Sequence, residues 1–378
     1  LPYRPSTRRS LLQASAAVSL GSAAWGLGVP AARAQDAALP ALRSLAAARG
    51  FLYGSDSDND FDRSPAQYGA LFLRQCALYA FDFNWKRVSP QQGVYDFKWH
   101  STAIAFALQG GLKLTGGHFL WHQSAPPWFS QITDRGQGER AIVDFITRAA
   151  SFYRGKVFSW NVSNEAINPR EGRPDGLRKE SPFVRLLGID YLPLAFHAAR
   201  AADPQAVLAY NEYDLELNNS DQEARRTALL RLLDYLQRQG APIDAVGLQS
   251  HLKVANFSQF DATRYRAFLR EIASRKLKIL VTELDVLDQG APADIVQRDR
   301  IVADIYARYL EAVLEEKAVK SVCTWGLSDR YTWLTPETGA KFSRSDGLPV
   351  RSLPFDAEFK PKPAFYAMVK AFQAAPSR

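Results

Sequence analysis

Eight apolar runs, each followed by a helix-patterned stretch, set the strongest limit on how this 378-residue chain can fold. They are FLYGSDS (51–57), ALYAFDF (77–83), LKLTGGHFLW (112–121), KVFSWNVSNE (156–165), AVLAYNEYD (206–214), AVGLQSHL (245–252), KILVTELDV (278–286) and SVCTWGLSD (321–329). Each is nearly continuous in apolar residues, as in a parallel sheet covered by helices. Between them, SPAQYGALFLRQC enters on Ser-Pro, and DQEARRTALLRLLDYLQRQG runs from an acidic start to a closing glycine. IVQRDRIVADIYARYLEAVLEEK is the longest helical pattern. No Gly/Ser- or Pro-rich linker divides the array, so residues 35–378 are expected to form one domain. Eight strand–helix units predict a (β/α)8 barrel. An open doubly wound sheet shares the periodicity, but its usual Gly-x-Gly-x-x-Gly after the first strand is missing.

In such barrels the chemistry gathers at the C-terminal strand ends, where the loops converge on one cleft. The polar residues follow that rule. His118 and His122 close the third run, Asn164 and Glu165 the fourth, and Asn211 with Glu212 the fifth. Gln249 and His251 close the sixth, Glu283 and Asp285 the seventh, and Trp325 with Asp329 the eighth.

The first 34 residues stand apart. They carry Arg4, Arg8, Arg9 and Arg33 and no acidic residue, followed by a modest apolar stretch and an Ala-x-Ala ending at Ala34. This is the layout of a signal peptide, and Arg8-Arg9 before Ser-Leu-Leu resembles a twin-arginine signal; export to the periplasm or medium is expected. Without the segment, the net charge of +8 falls to 43 basic against 39 acidic residues. No basic block tracks phosphates, so no nucleic-acid partner is expected. Two cysteines make no disulfide framework, though one Cys76–Cys323 bridge stays open. Aromatic residues make up 12% of the chain, with eight tryptophans. Trp121, Trp325 and Trp333 are candidates to offer flat indole faces to sugar C–H groups.

Glu165 and Glu283, 118 residues apart, are the central pair. On strands four and seven of a barrel they approach from different walls, and two opposed carboxyl groups are the equipment for glycosidic bond cleavage. His251 and Asp285 lie near Glu283, and donation from His251 would hold it ionised as a nucleophile needs. Glu165, beside Trp160 and Val162 and facing a second negative charge, is expected to carry the proton. Asn164 is placed to hydrogen-bond a sugar hydroxyl next to the scissile bond. Competing readings are a barrel that binds carbohydrate without cleaving it, and a metal-dependent hydrolase using His118, His122 and His251. The histidines lack a short-range ligand spacing, so no metal and no cofactor is expected.

At this point the chain resembles glycoside hydrolase family ten, the xylanase family. WNVSNEAI is similar to its Trp-Asp-Val-Val-Asn-Glu-Ala segment, and VTELDV to its nucleophile motif. SPFVRLLGIDYLPLAFHAARAADPQAVLAYNEYDLE, GLQSHL, WGLSDRYTWL and LPFDAEFKPKPAFYAMV follow in family order, from about residue 45 onward. The resemblance implies a (β/α)8 barrel and retaining hydrolysis of a β-1,4-linked polysaccharide, most often xylan. It implies Glu165 as acid/base, Glu283 as nucleophile, and His251 and Asp285 as the nucleophile's support. Asn164, Gln249, His118, Trp121, Trp85, Asn211, Trp325 and Trp333 would then meet the substrate.

Two departures accompany it. Where the family has Glu-Asn-x-x-Lys-Trp after strand two, this chain has AFDFNW, with Ala80, Phe81 and Asn84 at the polar positions and only Trp85 kept. HFLWH is one residue shorter than the family's third-strand motif, which puts the places of His118 and Trp121 in question. The glycone side is therefore expected to be rebuilt in apolar surface, and each lost hydroxyl contact costs about 0.5–1.5 kcal/mol net. A different polysaccharide, such as a bacterial exopolysaccharide, is the rival substrate. The mature chain is expected to act as a monomer on polysaccharide or oligosaccharide, with no stable membrane association.

Overall fold

The computed structural model describes residues 39–57, 64–82, 84–98, 101–338 and 341–378. The segment read as a signal peptide, 1–34, lies outside them. Among the described residues nine strands form: β1 (Leu52–Asp56), β2 (Leu78–Asp82), β3 (Lys113–Trp121), β4 (Val157–Asn164), β5 (Val207–Glu212), β6 (Ala245–Leu248), β7 (His251–Lys253), β8 (Lys278–Leu287) and β9 (Val319–Thr324). Neighbours from β1 to β6 pair in parallel, β9 pairs with β1 and β8, and β6 pairs with β8, so the sheet closes on itself. β6 and β7 are two halves of one stave, because both run along β8, at Lys278–Val281 and at Asp285–Leu287. The result is the expected eight-stave parallel barrel.

The break in the sixth stave falls at Gln249 and Ser250, where Ser250 takes φ 65. The eighth stave ends at Thr324, earlier than its apolar run, and Trp325–Asp329 leave as loop. Asp329 turns to its own partner, accepting from Lys362 Nζ at 2.7 Å and from the Leu353 amide at 2.9 Å. Cys76 and Cys323 are both buried free thiols, so the bridge left open by the sequence does not form.

Four of the helices that cover the barrel have their start written in a side chain. Asp134, Asn219, Asp261 and Asp294 accept from the amides of Gln137, Gln222, Thr263 with Arg264, and Gln297, satisfying otherwise orphaned first-turn donors. The helix Ile295–Leu314 buries Val302, Ile305, Tyr306, Tyr309, Leu310 and Val313, the i, i+3, i+4, i+7 stripe that covers a sheet. Among the described residues no helix is long and apolar enough to cross a membrane.

The layer between barrel and helices is aromatic under the future site. Trp160 packs edge-on to Phe81, with centroids 5.9 Å apart, and lies 4.7 Å from Phe119. Gly116 makes this possible, since a Cβ there would stand 2.5 Å from the Trp160 ring and 2.6 Å from the Phe81 ring. Neither buried ring has space to yield. Gly116→Ala is therefore expected to destabilise the fold by about 1–3 kcal/mol, read as a lower urea midpoint at unchanged m-value; an unchanged midpoint would contradict this packing.

Candidate active site

The two glutamates reach the barrel mouth by different routes. β4 ends at Asn164, and Glu165 follows at φ 54 with its amide donating to the Asn211 carbonyl at 3.0 Å. Glu283 does not sit where its strand runs out, as the sequence suggested, because β8 continues to Leu287. What runs out is its neighbour. β6 stops at Leu248, the Gln249 carbonyl takes the Glu283 amide at 3.1 Å, and the ladder resumes only at His251–Asp285.

A chain of amides joins the two carboxyl groups. Asn211 Nδ2 donates to Glu283 Oε1 at 2.7 Å and to Asn164 Oδ1 at 2.9 Å. Asn164 Nδ2 donates to Glu165 Oε1 at 3.1 Å, and Gln249 Nε2 reaches both Glu165 Oε1 at 3.0 Å and Asn164 Oδ1 at 3.2 Å. The Asn211 amide is oriented by Thr282, whose hydroxyl donates to Asn211 Oδ1 at 2.8 Å. Gly247 leaves room for it, since a Cβ there would fall 2.2 Å from Asn211 Oδ1.

On the other oxygen of Glu283 stands His251, with Nε2 3.2 Å from Oε2 and Nδ1 2.9 Å from Asp285 Oδ1. Asp285 also accepts from Trp333 Nε1 at 2.7 Å. Both imidazole nitrogens face carboxylate oxygens, so both carry protons. Burial works against a charged ring, but Asp285 and Glu283 outweigh it and raise the His251 pKa to about 10. Burial likewise pushes Glu283 up, and His118 and His251 overcome it, holding its pKa at about 2. Glu283 is only 5% exposed and is nevertheless an anion.

The structure brings together Glu165, Glu283, Asn164, Asn211, Gln249, His118, His251, Asp285 and Trp333. His118 lies with Nε2 3.4 Å from Asn211 Nδ2 and 3.6 Å from Glu283 Oε1, and Trp121 packs edge-on to its ring. Trp325 is half-buried and lines a small cavity inside the barrel with Ala80, His118 and Thr282. His122 stays apart from the other two histidines, half-buried, with its pKa lowered to about 4 by burial and then by Arg178.

Two residues assigned to substrate from the sequence have other work. Trp85 is 0% exposed, stacked on Phe145 with centroids 4.4 Å apart and packed beside Trp128, Phe129 and Phe183. It is core. Asn211 is also fully buried, with Nδ2 committed to Glu283 and Asn164, so it orients the carboxylates rather than touching sugar. The apolar rebuilding expected on the glycone side is corrected too. Phe81 points away from the mouth, against Tyr153 and Trp160, and the side chain β2 presents there is Asp82, 34% exposed.

Sequence reading missed the supports of the Glu165 loop. Tyr210 accepts from the Ala166 amide at 3.1 Å and donates to Glu212 Oε2 at 2.6 Å. Glu212 also takes the Ile167 amide at 3.3 Å and Arg225 at 3.2 Å; burial raises its pKa to about 7 despite Arg225. Arg178 Nε donates to the Glu165 carbonyl at 3.2 Å. Glu212 beside Asn211 was the available signal, since a carboxylate closing a buried strand needs a partner.

With the geometry in place, known proteins sharpen it. The model of glycosyl hydrolase family 10 matches residues 41–371. Endo-1,4-beta-xylanase C of Phanerodontia chrysosporium is 30% identical over 342 residues, 88% of this chain and 79% of its own. Native xylanase 10B of Thermotoga maritima superposes with a TM-score of 0.78 at 25% identity, over 88% of this chain and 98% of its own. Xylanase 10B of Thermotoga petrophila RKU-1, solved in complex with xylobiose, gives 0.77 at 25% identity over 89% and 98%. A match that takes in every stave and every group around the two glutamates leaves one assignment: the chain belongs to glycosyl hydrolase family 10.

Proposed function

We propose that this glycoside hydrolase cleaves xylan internally at β-1,4 bonds with retention of anomeric configuration, Glu283 acting as nucleophile and Glu165 as acid/base. One observation carries the division of labour. Glu283 is a buried carboxylate held ionised by His118 and His251, while among the described residues the donors to the Glu165 carboxyl are the neutral amides of Asn164 and Gln249. In the first step the Glu165 carboxylic acid gives its proton to the glycosidic oxygen as Glu283 attacks the anomeric carbon. The bond to the leaving sugar breaks and an ester to Glu283 forms. In the second step the Glu165 carboxylate takes a proton from water, the water oxygen attacks the anomeric carbon, and Glu283 leaves as the anion. The names of the relatives, and the xylobiose held by one of them, support xylan.

Ala80 and Asn84 at positions where the family carries polar glycone-side groups favour a second reading, another β-linked polysaccharide processed by the same chemistry. The arginine pair and Ala-x-Ala of the first 34 residues support export.

On xylan, the wild type is expected to release the β-anomer of the product first by ¹H NMR, Glu165→Ala to lower kcat by about 10²–10⁴-fold and Glu283→Ala to abolish turnover. Release of the α-anomer first, or full activity in either variant, would overturn the assignment. The pH profile follows from Glu283. It attacks as an anion, and its pKa lies at about 2 against an ordinary 4.5, so the acid limb of kcat/KM is expected well below pH 4.5. His251→Gln removes a positive charge from the carboxylate and is expected to move that limb up by about one pH unit or more. A limb that stays in place would contradict the pairing.

A further inference from the structure

Glu283 is approached from both oxygens, and the two approaches are built alike. On Oε2 stands His251, backed at 2.9 Å by Asp285. On Oε1 stands His118, whose far nitrogen, Nδ1, lies 4.0 Å from Asp82 Oδ1. Asp82 closes β2 in register with Gly117, the residue before His118. His118 Nδ1 is sealed from solvent and makes no hydrogen bond among the described residues, and the Asp82 carboxylate stands beside it.

We propose that Asp82 is a positioning residue that keeps a proton on His118 Nδ1 and so holds the ring against Glu283, a second aspartate–histidine arm on the nucleophile. The role rests on Glu283 being the nucleophile. An unprotonated Nδ1 would aim its lone pair at the Asp82 carboxylate, which is repulsive; a protonated one is attracted. The charged groups facing His118 are Asp82 from β2, Glu283 from β8 and Glu165 just past β4, while Asn211 and Trp121 are neutral. Burial opposes charge on the ring, yet these carboxylates prevail and the His118 pKa is raised above 6.5. Ala80 is too short for such a role, and Phe81 points the other way.

The test reads histidine side-chain ¹⁵N resonances of the full chain without substrate, with His118 assigned from a His118→Gln variant. Asp82→Asn is expected to lower the His118 midpoint by about one pH unit or more and leave that of His251 in place, while Asp82→Glu restores it. On a chromogenic xylo-oligosaccharide, kcat in Asp82→Asn is expected to fall about tenfold, with KM nearly unchanged and recovery in Asp82→Glu. Asp82→Ser serves as a second neutral variant should Asp82→Asn fold poorly. A His118 midpoint that ignores both neutral variants, or one that moves together with His251, would overturn the proposal. Because the NMR midpoint needs no turnover, failure to hydrolyse any glycan would count against the proposed function alone.

Discussion

A carboxylate taken out of water remains an anion only where donors replace the water it lost. Glu283 meets that condition through Asn211 and His118 at one oxygen and His251 at the other. Much of the barrel mouth is arranged to supply those donors. Thr282 fixes which end of the Asn211 amide points at the carboxylate, Gly247 leaves that amide its space, and Asp285 keeps His251 protonated. The break between β6 and β7 belongs to the same arrangement, because it frees the Gln249 carbonyl for the Glu283 amide and brings the Gln249 side chain to Glu165.

The rim holds this centre in place. Trp333, which ties Asp285, packs in a small cluster with Leu287, Leu334, Phe342 and Val350. That cluster is fastened by Arg344, donating to the carbonyls of Asp288 at 2.6 Å and Ala291 at 3.0 Å, and by the Arg351–Asp299 pair. A network of this kind fixes geometry before substrate arrives, which is where much of an enzyme's electrostatic stabilisation resides.

How much of this was readable from the chain follows from which forces are local. The eight strands and their helices were legible because apolar periodicity and capping residues act within a few positions. The two glutamates were legible because a carboxylate closing an apolar run demands a partner. Trp85 was misread because a tryptophan's sequence position does not say which side of the barrel wall it faces; four neighbouring rings from distant segments decide that. Asn211 reads as a substrate contact because strand ends read as exposed, whereas its burial depends on the closure of neighbouring staves. At Ala80–Phe81–Asp82 the alternation of the strand turned Phe81 outward and Asp82 toward His118, so an apolar-looking motif presents charge. The kink at Ser250 had no local signature, since neither glycine nor asparagine marks its positive φ.

The central claim is that Glu283 bonds to the sugar. Treating the enzyme with a 2-deoxy-2-fluoro xylobioside bearing an activated leaving group slows loss of the glycosyl-enzyme and lets it accumulate. Intact mass should rise by one fluoroglycosyl group, and peptide sequencing should place it on Glu283 in the wild type and nowhere in Glu283→Gln. A label on another residue, or turnover of the reagent with no labelled protein, would contradict the account.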